Sequence, residues 1–577
     1  MIRENDMANE EKSRALADMA NRFWQFECRQ WPLTAALAGE ILDNTVLFRE
    51  AASDHDQRYV EAGHMLQELA GICSDEMSPQ DRATYRLLQR ELHGIRRYHD
   101  VDGHLRPSLF PAGIDFTTVF FANSTSIDDA ATARRYLARL ESIPSAIRDI
   151  QANLMAGHRK GIRYPRIVLD SAVSNIEGLT QGPAQATAWY GPFQRWTAAD
   201  GAGQSLGQRA LAFIADRLVP AFQAHAAFLH GPLAMGALIG PACTDGPKGR
   251  DFYRMLVQHF TTIDVEPEAV HALGLREVER LQSEIEDLAA KAGFAGDVTG
   301  YRRFLSTDPQ FVAESKDALR ADIERLCKRI DKCIPAFFGR IPRITYGVES
   351  IPETISAKVP GAYAQPNPAD RSAPGIIWVS GIPAKCPSYL HVPLALHEGW
   401  PGHLMHIALM QEADTLPSFR RHGAIKYTAY VEGWALYCES LGMEMGLYET
   451  THQHYGRVEM EQWRAVRLVV DTGIHWYGWS RETAIAYMAA RLTLSRESIE
   501  GEVDRYAAMP AQALAYQIGN LKMRELRQHA QQTLGPRFKH RRFHEAVMCA
   551  GAVTLPVLEE LIEDWLTSEQ SFEAERS

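Results

Sequence analysis

Two histidines and two glutamates in the middle of the chain have the types and the order of a hydrolytic zinc site. Glu398 follows His397 directly, and His403 stands six residues after His397. Two histidines and one carboxylate are a common zinc-binding set in hydrolases, where a fourth position stays open for water. Glu432, which lies far enough along the chain to belong to a second helix, is the candidate carboxylate. Metalloproteases keep their general base directly after the first histidine, so Glu398 is the candidate base.

The spacing of the histidines departs from the usual zinc helix. There the second histidine follows the first by four residues and shares its helix face, but Pro401 occupies that position here. His397 and His403 would point about 240° apart on a regular helix and could not hold one ion. Pro401 removes a backbone hydrogen bond and clashes with the preceding turn, while Gly402 permits unusual backbone angles. We therefore predict a bulge or break at 400–402 that returns His403 to the side of His397.

A second pairing of histidines is also open. His403 and His406, three residues apart, share one face of an undistorted helix and form a geometrically easier site. That site would leave Glu398 badly placed as a base, so we prefer His397, His403 and Glu432 as ligands. Zn²⁺ bound there would lower the pKa of a bound water to about 7. Glu398 would take the proton of that water and pass it to the leaving amine.

Further along the chain, three polar residues recur at four-residue steps and would share one helix face. Arg467 is a candidate for binding a substrate carboxylate. His475 is a candidate hydrogen-bond donor to the developing oxyanion, and Asp471 would orient His475. The same spacing is typical of an ion-pair ladder on a helix surface. From these residues alone, the two interpretations are equally open.

Tyr516, Glu439 and Trp378 are weaker candidates. The phenol of Tyr516 could donate to the tetrahedral intermediate, because it does not titrate near neutral pH; an aromatic core residue is the alternative. Glu439 lies two turns beyond Glu432 and could support a metal ligand or simply face solvent. Trp378, in a predicted edge strand, could line the substrate groove, although a packed strand residue fits the pattern better.

The composition limits the class of protein. The 577 residues allow about two to four domain-sized units and a large core. A net charge of −11 opposes nucleic acid or anionic membrane as the main partner. The eight cysteines are scattered and indicate reduced thiols. Because the N-terminus lacks a secretory apolar run and no segment of about 18 apolar residues appears, we expect a cytoplasmic protein. Its oligomeric state is not encoded in any pattern we recognise.

Helical periodicity dominates the chain. It extends over residues 10–100, 130–158, 206–229 and 267–293, and it returns after residue 394 almost to the end. Residues 341–393 are instead rich in proline, glycine and β-formers, which indicates short strands joined by loops. Such strands could bind an extended peptide at a sheet edge by main-chain hydrogen bonds, or merely cover the helices.

These patterns predict a mainly α fold with a small β-sheet next to the metal-binding helix. We assign a helical N-terminal region to residues 1–250 and a catalytic region to residues 251–577. The catalytic region would hold the sheet, at about 341–393, and the metal-binding helices, at 394–527. The boundary depends on a cluster of glycine and proline at 240–249, and the two regions could share one core.

Several motifs in order resemble the bacterial proteins grouped as domain of unknown function 885. These motifs are HEGWPGHLMH (397–406), YVEGWALYCESLGMEMGLY (430–448), RLVVDTGIHWYGWS (467–480), PAQALAYQIGNLKMRELR (510–527) and FHEAVMCAGAVTLPVLEELIEDWL (543–566). The family is similar to the gluzincin metallopeptidases, including helical carboxypeptidases of the Taq type. The resemblance implies a large helical metallopeptidase-like fold, histidine, histidine and glutamate as metal ligands, and peptidase-like amide hydrolysis. It makes Pro401 a family trait and favours a place in the site for residues 467, 471 and 475.

We therefore expect a zinc-dependent hydrolase that acts on a small peptide or a peptide-like amide. One alternative is a specialised amide or ester hydrolase of metabolite synthesis that uses the same site with a different pocket. Another is a protein that binds a ligand or a structural metal on this scaffold without catalysis. Glu398 argues against the last alternative, because a structural metal site needs no base.

Overall fold

The computed structural model describes residues 2–40, 45–72, 77–196, 201–351, 356 and 361–574. Helices make up 71% of the structure, and three short strands form the sheet. The predicted mainly α fold with a small sheet is therefore confirmed. Over the described part of the chain, no helix has the length and apolar character needed to cross a membrane.

The N-terminal helices belong to the same apolar core as the second half of the chain. They are α1 (Ile2–Gln30), α2 (Pro32–Leu37), α3 (Ala52–Ala70) and α4 (Pro79–Asp100). The hydroxyl of Ser78 caps α4, which suits a helix that starts after a turn. Leu87 and Leu88 of α4 are fully buried. Their core joins side chains between residues 16 and 92 to others between residues 253 and 566.

A second core lies within the helices that follow. These are α5 (Ile114–Asn123), α6 (Ala130–Arg159), α7 (Arg166–Leu179), α8 (Gly191–Arg195), α9 (Gly201–Phe213) and α10 (Val219–His230). A π-helical turn at 214–218 links α9 to α10. The helices predicted at 130–158 and 206–229 correspond to α6 and to α9 with α10. Buried side chains of this core come from residues 47–233, joined by Ala507.

The next four helices precede the sheet, and the second and third of them begin a third core. These are α11 (Gly249–Thr261), α12 (Pro267–Lys291), α13 (Val298–Thr307) and α14 (Lys316–Phe337). Pro267 occupies the first turn of α12, as the sequence predicts. Leu281 and Ile285 of α12 are fully buried in this core, which continues into the C-terminal helices.

The sheet consists of β1 (Tyr346–Ser350), β2 (Ala362–Gln365) and β3 (Gly375–Val379). Its order is β1-β3-β2, with β3 parallel to β1 and antiparallel to β2. Because β3 pairs on both sides, the edges belong to β1 and β2. Trp378 lies in β3, so the prediction that it stands in an edge strand is wrong.

The remaining helices surround the candidate site. They are α15 (His391–Glu398), α16 (His403–Gln411), α17 (Ser418–Arg421), α18 (Thr428–Leu441), α19 (Thr451–His475), α20 (Arg481–Ala489), α21 (Arg496–Ala508), α22 (Ala515–Leu534), α23 (His540–Met548) and α24 (Leu555–Ala574). Thr450 and Gln453 form a capping box at the start of α19. Most of α19 is buried, so its polar side chains must find partners inside the protein.

Candidate metal centre

The helix is interrupted between the two candidate histidine ligands. α15 ends at Glu398, and α16 begins at His403. Gly399 (φ −89°, ψ −137°) and Gly402 (φ −69°, ψ −135°) bound the interruption, and both ψ angles are far from helical values. The break predicted for this segment is present.

At both glycines, nearby backbone atoms leave no room for a side chain. A Cβ on Gly402 would overlap the carbonyl oxygens of Leu396 and His397. A Cβ on Gly399 would lie 2.7 Å from the carbonyl oxygen of Ala395. Because real Cβ atoms do not approach backbone atoms this closely, the shape of the break depends on two residues without side chains.

Neighbouring elements hold the break in place. The indole Nε1 of Trp434, on α18, donates a hydrogen bond to the carbonyl oxygen of Pro401 at 2.9 Å. On the side of the sheet, the ring of Tyr346 lies 5.2 Å from the ring of Trp400. Trp434 was not predicted as a site residue, and no spacing rule along the chain connects it to Pro401. The break is therefore packed between α18 and the sheet.

This arrangement brings His397, His403 and Glu432 together. The Nε2 atoms of both histidines lie 3.4 Å from the same oxygen, Oε2 of Glu432. The two imidazole rings meet edge to face, with centroids 4.8 Å apart, and one ligand atom from each of the three residues lies within 4.8 Å of the others. Oε2 of Glu432 is buried and has no hydrogen-bond partner within the described ranges. The three side chains thus converge on one point.

A buried glutamate lies behind His397. Nδ1 of His397 donates a hydrogen bond to Oε1 of Glu439 at 2.8 Å, and Glu439 is 1% exposed. A carboxylate in this position fixes the tautomer and the orientation of a ligand histidine. His403 lacks such support among the described residues, because its Nδ1 is buried without a hydrogen-bond partner.

Charges within the triad shift the pKa values of its members. Burial lowers the pKa of His397, but the neighbouring carboxylates of Glu432 and Glu439 outweigh burial and raise this pKa to about 9. Burial raises the pKa of Glu432, but the neighbouring His403 and His397 hold it well below its usual range. The two imidazoles therefore stabilise the charge of Glu432, a role that a metal ion can take over.

A close helix crossing places Tyr516 near the triad. α18 and α22 cross at Gly433 and Gly519, where a Cβ on either glycine would overlap the backbone of the other helix. Burial raises the pKa of Tyr516, and the charge of Glu432 raises it further. The phenol is therefore protonated at neutral pH and can donate a hydrogen bond near Glu432.

Glu398 is the last residue of α15 and follows His397 directly. It is 9% exposed, and it forms no hydrogen bond or ion pair with the rest of the described chain. Its charge contributes to the raised pKa of His397. A nearly buried carboxylate without a protein partner is free to bond to water or substrate.

Arg467 contacts Tyr516 and lies inside the protein. Its guanidinium carbon is 4.5 Å from the centre of the Tyr516 ring, and its Nη2 pairs with Glu502 at 3.2 Å. Nε of Arg467 donates to the hydroxyl of Tyr506 at 3.2 Å, whereas its Nη1 is buried without a hydrogen-bond partner in the described part of the chain. The alternative of a surface ion-pair ladder does not apply to this residue, because only 5% of it is exposed.

His475 does not have the predicted role of an oxyanion donor. Its Nδ1 accepts a hydrogen bond from the backbone N–H of Cys243 at 3.1 Å, and its Nε2 donates to the carbonyl oxygen of Tyr506 at 3.0 Å. Burial lowers the pKa of His475 to about 4, so the imidazole is neutral near pH 7. Both ring nitrogens are occupied by backbone groups, and neither is left for a substrate.

Asp471 does not orient His475, so this prediction is also wrong. Its carboxylate accepts a hydrogen bond from the hydroxyl of Tyr253 at 2.6 Å. It also accepts from the backbone N–H of Ala511 at 3.1 and 3.0 Å. Asp471 is fully buried, so it joins α19 to α11 and to the loop that precedes α22.

His406 lies outside the triad. Its ring is 4.6 Å from the ring of Tyr430 and 5.6 Å from that of Trp434. Burial lowers the pKa of His406 to about 3, so this side chain is a neutral member of an aromatic cluster. The alternative pairing of His403 with His406 as ligands is not formed.

Trp378 packs within the sheet. Its Nε1 donates to Oε1 of Gln365 at 2.9 Å, and its ring lies over that of Tyr363, with centroids 6.3 Å apart. Both partners belong to the neighbouring strand β2. The contacts are those of a packed strand residue, and none of them places Trp378 at the triad.

Arg464 was not predicted from the sequence, although it lies beside the site. It is 5% exposed, and its guanidinium carbon is 5.9 Å from the centre of the Tyr516 ring. The charges of Glu439 and Glu432 act on it. Because Arg464 precedes Arg467 by three residues, the two share a helix face, and this spacing was the signal that could have identified it.

The fold is similar to those of two solved structures. A candidate lipoprotein from Colwellia psychrerythraea has a TM-score of 0.88 at 24% identity, over 97% of this chain and 99% of the other. A candidate lipoprotein of unknown function from Shewanella oneidensis has a TM-score of 0.73 at 16% identity, over 95% of this chain and 99% of the other. At these identities, the likeness establishes the fold alone.

Sequence comparison points to one family. No match was found among curated proteins. A family model described as a bacterial protein of unknown function (DUF885) matches residues 32–562, a range that contains the triad, the break and Tyr516. This match confirms the resemblance in the motifs, and the chain therefore belongs to the bacterial family DUF885.

Proposed function

We propose that this protein is a zinc-dependent hydrolase that cleaves peptide or peptide-like amide bonds, with Glu398 as the general base. The main support for this function is that three candidate ligand atoms lie close together at the break between α15 and α16. The Nε2 atoms of His397 and His403 each lie 3.4 Å from Oε2 of Glu432. Two atoms bonded at about 2.1 Å to one tetrahedral zinc ion lie about 3.4 Å apart. The spacing therefore fits zinc, which would also give the orphaned Glu432 oxygen a partner.

The chemistry of the surrounding residues supports the same reaction. Two imidazole nitrogens and one carboxylate oxygen leave one position of a tetrahedral zinc ion open, and the ion would polarise the scissile carbonyl and acidify the attacking water. The side chain of Glu398, which has no partner among the described residues, would take the proton from that water and deliver it to the leaving amine. Tyr516 donates a hydrogen bond to the developing oxyanion. Glu439 holds the ring of His397 in its orientation.

Peptide bonds are proposed as the bonds cleaved by analogy with known metallopeptidases. A histidine–glutamate pair followed by a later glutamate, in a mainly helical protein, is similar to the gluzincin metallopeptidases. A hydrolase of metabolite amides or esters would use the same residues. Glu398 weighs against a non-catalytic metal-binding protein, because such a site needs no base. We also propose a cytoplasmic location and a small peptide or amide as the partner.

Metal analysis combined with a Glu398→Gln variant tests the proposal. Full-length protein purified with zinc supplied should hold about one zinc ion per chain and cleave members of a mixed peptide library, as read by mass spectrometry. Glu398→Gln should keep the zinc and lose activity by roughly 10²- to 10⁴-fold, because an amide cannot accept the proton. Glu545→Gln, at an exposed glutamate on α23, is the control and should match the wild type.

Three outcomes would count against the proposal in different ways. Protein without zinc after a zinc-replete purification would overturn the metal assignment. Unchanged cleavage by a zinc-loaded Glu398→Gln variant would overturn the assignment of the base. Cleavage of metabolite amides or esters with no cleavage of any peptide would select the other class of hydrolase.

A further inference from the structure

Helix α19 directs two arginines into the interior beside Tyr516. Arg464 and Arg467 are each 5% exposed, and their guanidinium carbons lie 5.9 and 4.5 Å from the centre of the Tyr516 ring. Residues three apart share one helix face, so both side chains reach the same region. Buried cations are costly unless they are paired, and their partners therefore decide what this region can bind.

The acids of this region do not balance its cations. Glu502 pairs with Arg467 at 3.2 Å and with Arg505 at 3.0 Å. Arg464 has no carboxylate partner among the described residues, and its Nη1 contacts the carbonyl oxygen and the sulfur of Met460. Glu502 is thus the one carboxylate that pairs with any of these three guanidinium groups in the described part of the chain. Arg464 is left without an ion pair.

Both arginines also keep buried donors without acceptors. Nε of Arg464 and Nη1 of Arg467 are buried and have no hydrogen-bond partner among the residues that the structure describes. An unsatisfied buried donor destabilises the folded protein. The planar guanidinium group matches the two oxygens of a carboxylate and can bind them in parallel. A carboxylate from a ligand would neutralise the charge of these guanidinium groups and accept hydrogen bonds from their unpaired N–H groups.

The acids of the candidate metal centre do not replace such a ligand. Burial lowers the pKa of Arg464, and the charges of Glu439 and Glu432 offset this effect only in part. Glu439 already accepts the hydrogen bond from His397, and Glu432 is a candidate metal ligand. In the described part of the chain, neither carboxylate forms a hydrogen bond or an ion pair with Arg464, whose Nη1 contacts Met460 instead.

We infer that Arg464 and Arg467 bind the C-terminal carboxylate of the substrate, and that the enzyme cuts short peptides close to their free C-terminus. Tyr516 lies one turn before Gly519 on α22. Because Gly519 contacts α18 at the glycine directly after Glu432, the two arginines beside Tyr516 lie near the triad. An extended chain advances about 3.3–3.6 Å per residue, so a carboxylate held near the triad places the cut close to the C-terminus of the peptide. The cleavage step depends on the proposed hydrolase function, whereas the binding of the carboxylate does not.

Affinity selection with peptide mixtures tests this inference. Zinc-loaded, full-length Glu398→Gln protein is incubated with tripeptides as free acids, with the same tripeptides as C-terminal amides, and with amidated tripeptides that end in aspartate or glutamate. Ultrafiltration and mass spectrometry then measure which peptides are retained. Free acids should be retained about 10- to 100-fold better than their amides. Equal retention, retention of the acidic side-chain set alone, or no retention at all would overturn the inference.

Variants of the two arginines locate the effect. Arg464→Gln and Arg467→Gln should each lower the retention of free acids by about tenfold or more. Arg464→Lys and Arg467→Lys should restore part of it, because they keep the charge and lose the planar fork. Arg496→Gln, at an arginine of α21 whose side chain is 67% exposed, is the matched control. If a glutamine variant does not fold, the comparison of free acids with amides in the Glu398→Gln protein still tests whether the protein binds a C-terminal carboxylate.

Zinc content and the wild-type reaction separate the remaining explanations. Loss of zinc together with loss of retention in Arg464→Gln would mean that Arg464 acts through the metal site, and would overturn its assignment. Retention of free acids with no cleavage by the wild type would leave the arginine site standing and remove the hydrolase. Equal cleavage of acids and amides by the wild type would leave the hydrolase standing and remove this inference. The expected result is preferential binding and preferential cleavage of the free acids.

Discussion

At the scale of single residues, the two candidate histidine ligands are held unequally. His397 donates from Nδ1 to the buried Glu439, whereas Nδ1 of His403 is buried without a partner among the described residues. A carboxylate behind a ligand histidine fixes its tautomer and raises its basicity. Glu439 should therefore influence metal affinity through His397, although it is not a ligand itself.

A Glu439→Gln variant should bind zinc about 10- to 100-fold more weakly than the wild type, because the amide keeps an acceptor but loses the charge. Competition against a zinc-chelating dye measures the affinity. Glu444→Gln is the control, since Glu444 is 40% exposed and pairs with Arg527. Equal zinc affinity in Glu439→Gln and in the wild type would contradict a supporting role for Glu439.

Asp471 should make the stability of the protein depend on pH. Burial raises its pKa to about 7, and the hydrogen bonds from Tyr253 and Ala511 oppose this rise only in part. The unfolded value is about 3.9, so between about pH 4 and 7 the folded protein binds more protons than the unfolded chain. The free energy of unfolding therefore falls as the pH rises through this window, by up to about 4 kcal/mol.

An Asp471→Asn variant should lose this dependence and show a flatter profile between about pH 4 and 7. Equilibrium unfolding in denaturant, repeated across that window, measures the free energy of unfolding. Asp251→Asn corrects for the loss of one charge, because the side chain of Asp251 is 67% exposed. Parallel profiles for the wild type and Asp471→Asn would argue against a raised pKa at Asp471.

At the scale of elements, the break between α15 and α16 is the feature on which the metal centre depends. Its place could be predicted from Pro401, because proline cannot continue a helix. The direction in which α16 leaves the break could not be predicted from the sequence. That direction depends on the hydrogen bond from Trp434 and on the packing of Trp400 against the sheet, and both contacts come from distant parts of the chain.

Gly402→Ala should disrupt the centre, because its Cβ would overlap two carbonyl oxygens of α15. We expect loss of zinc binding and a free energy of unfolding lower by about 1–3 kcal/mol. Zinc content and denaturant unfolding are the measurements. Gly501→Ala is the matched control, since its Cβ meets nothing within 4 Å on α21, and it should stabilise the protein by up to about 1 kcal/mol. Full zinc binding by Gly402→Ala would show that the metal centre does not require a glycine at position 402.

The sheet illustrates the limit of local patterns. β-formers and turn residues were enough to predict strands within residues 341–393, and β1 and β3 lie there. The order of the strands was not predictable, because it depends on which backbone groups pair across long separations. β3 pairs with β1 on one side and with β2 on the other, so Trp378 lies in the central strand.

At the scale of the whole molecule, the largest apolar core crosses the predicted regional boundary. It joins side chains between residues 16 and 92 to others between residues 253 and 566. The helices of the candidate site thus share one apolar core with α1, α3 and α4. The Gly/Pro cluster at 240–249 could indicate a turn from its composition, but composition alone does not reveal which helices share a core.

A fragment of residues 251–577 should therefore not fold alone. Leu87, Leu88 and Leu92 of α4 are fully buried in the shared core, and the burial of each stabilises the protein by about 1.5–3 kcal/mol. Circular dichroism and thermal denaturation of the purified fragment are the measurements, and co-expression with residues 1–250 should restore a soluble complex. A cooperative transition with zinc binding in the fragment alone would refute this expectation.

The sequence by itself determined the helical class, the place of the break and the candidate ligands His397, His403 and Glu432. These are local properties, because periodicity, proline and side-chain chemistry act over a few residues. Only the tertiary structure decided that His475 bonds to the backbone and that Arg464 lies beside Tyr516. Those outcomes depend on which elements pack against α19, and the spacing of residues along one helix does not encode its neighbours.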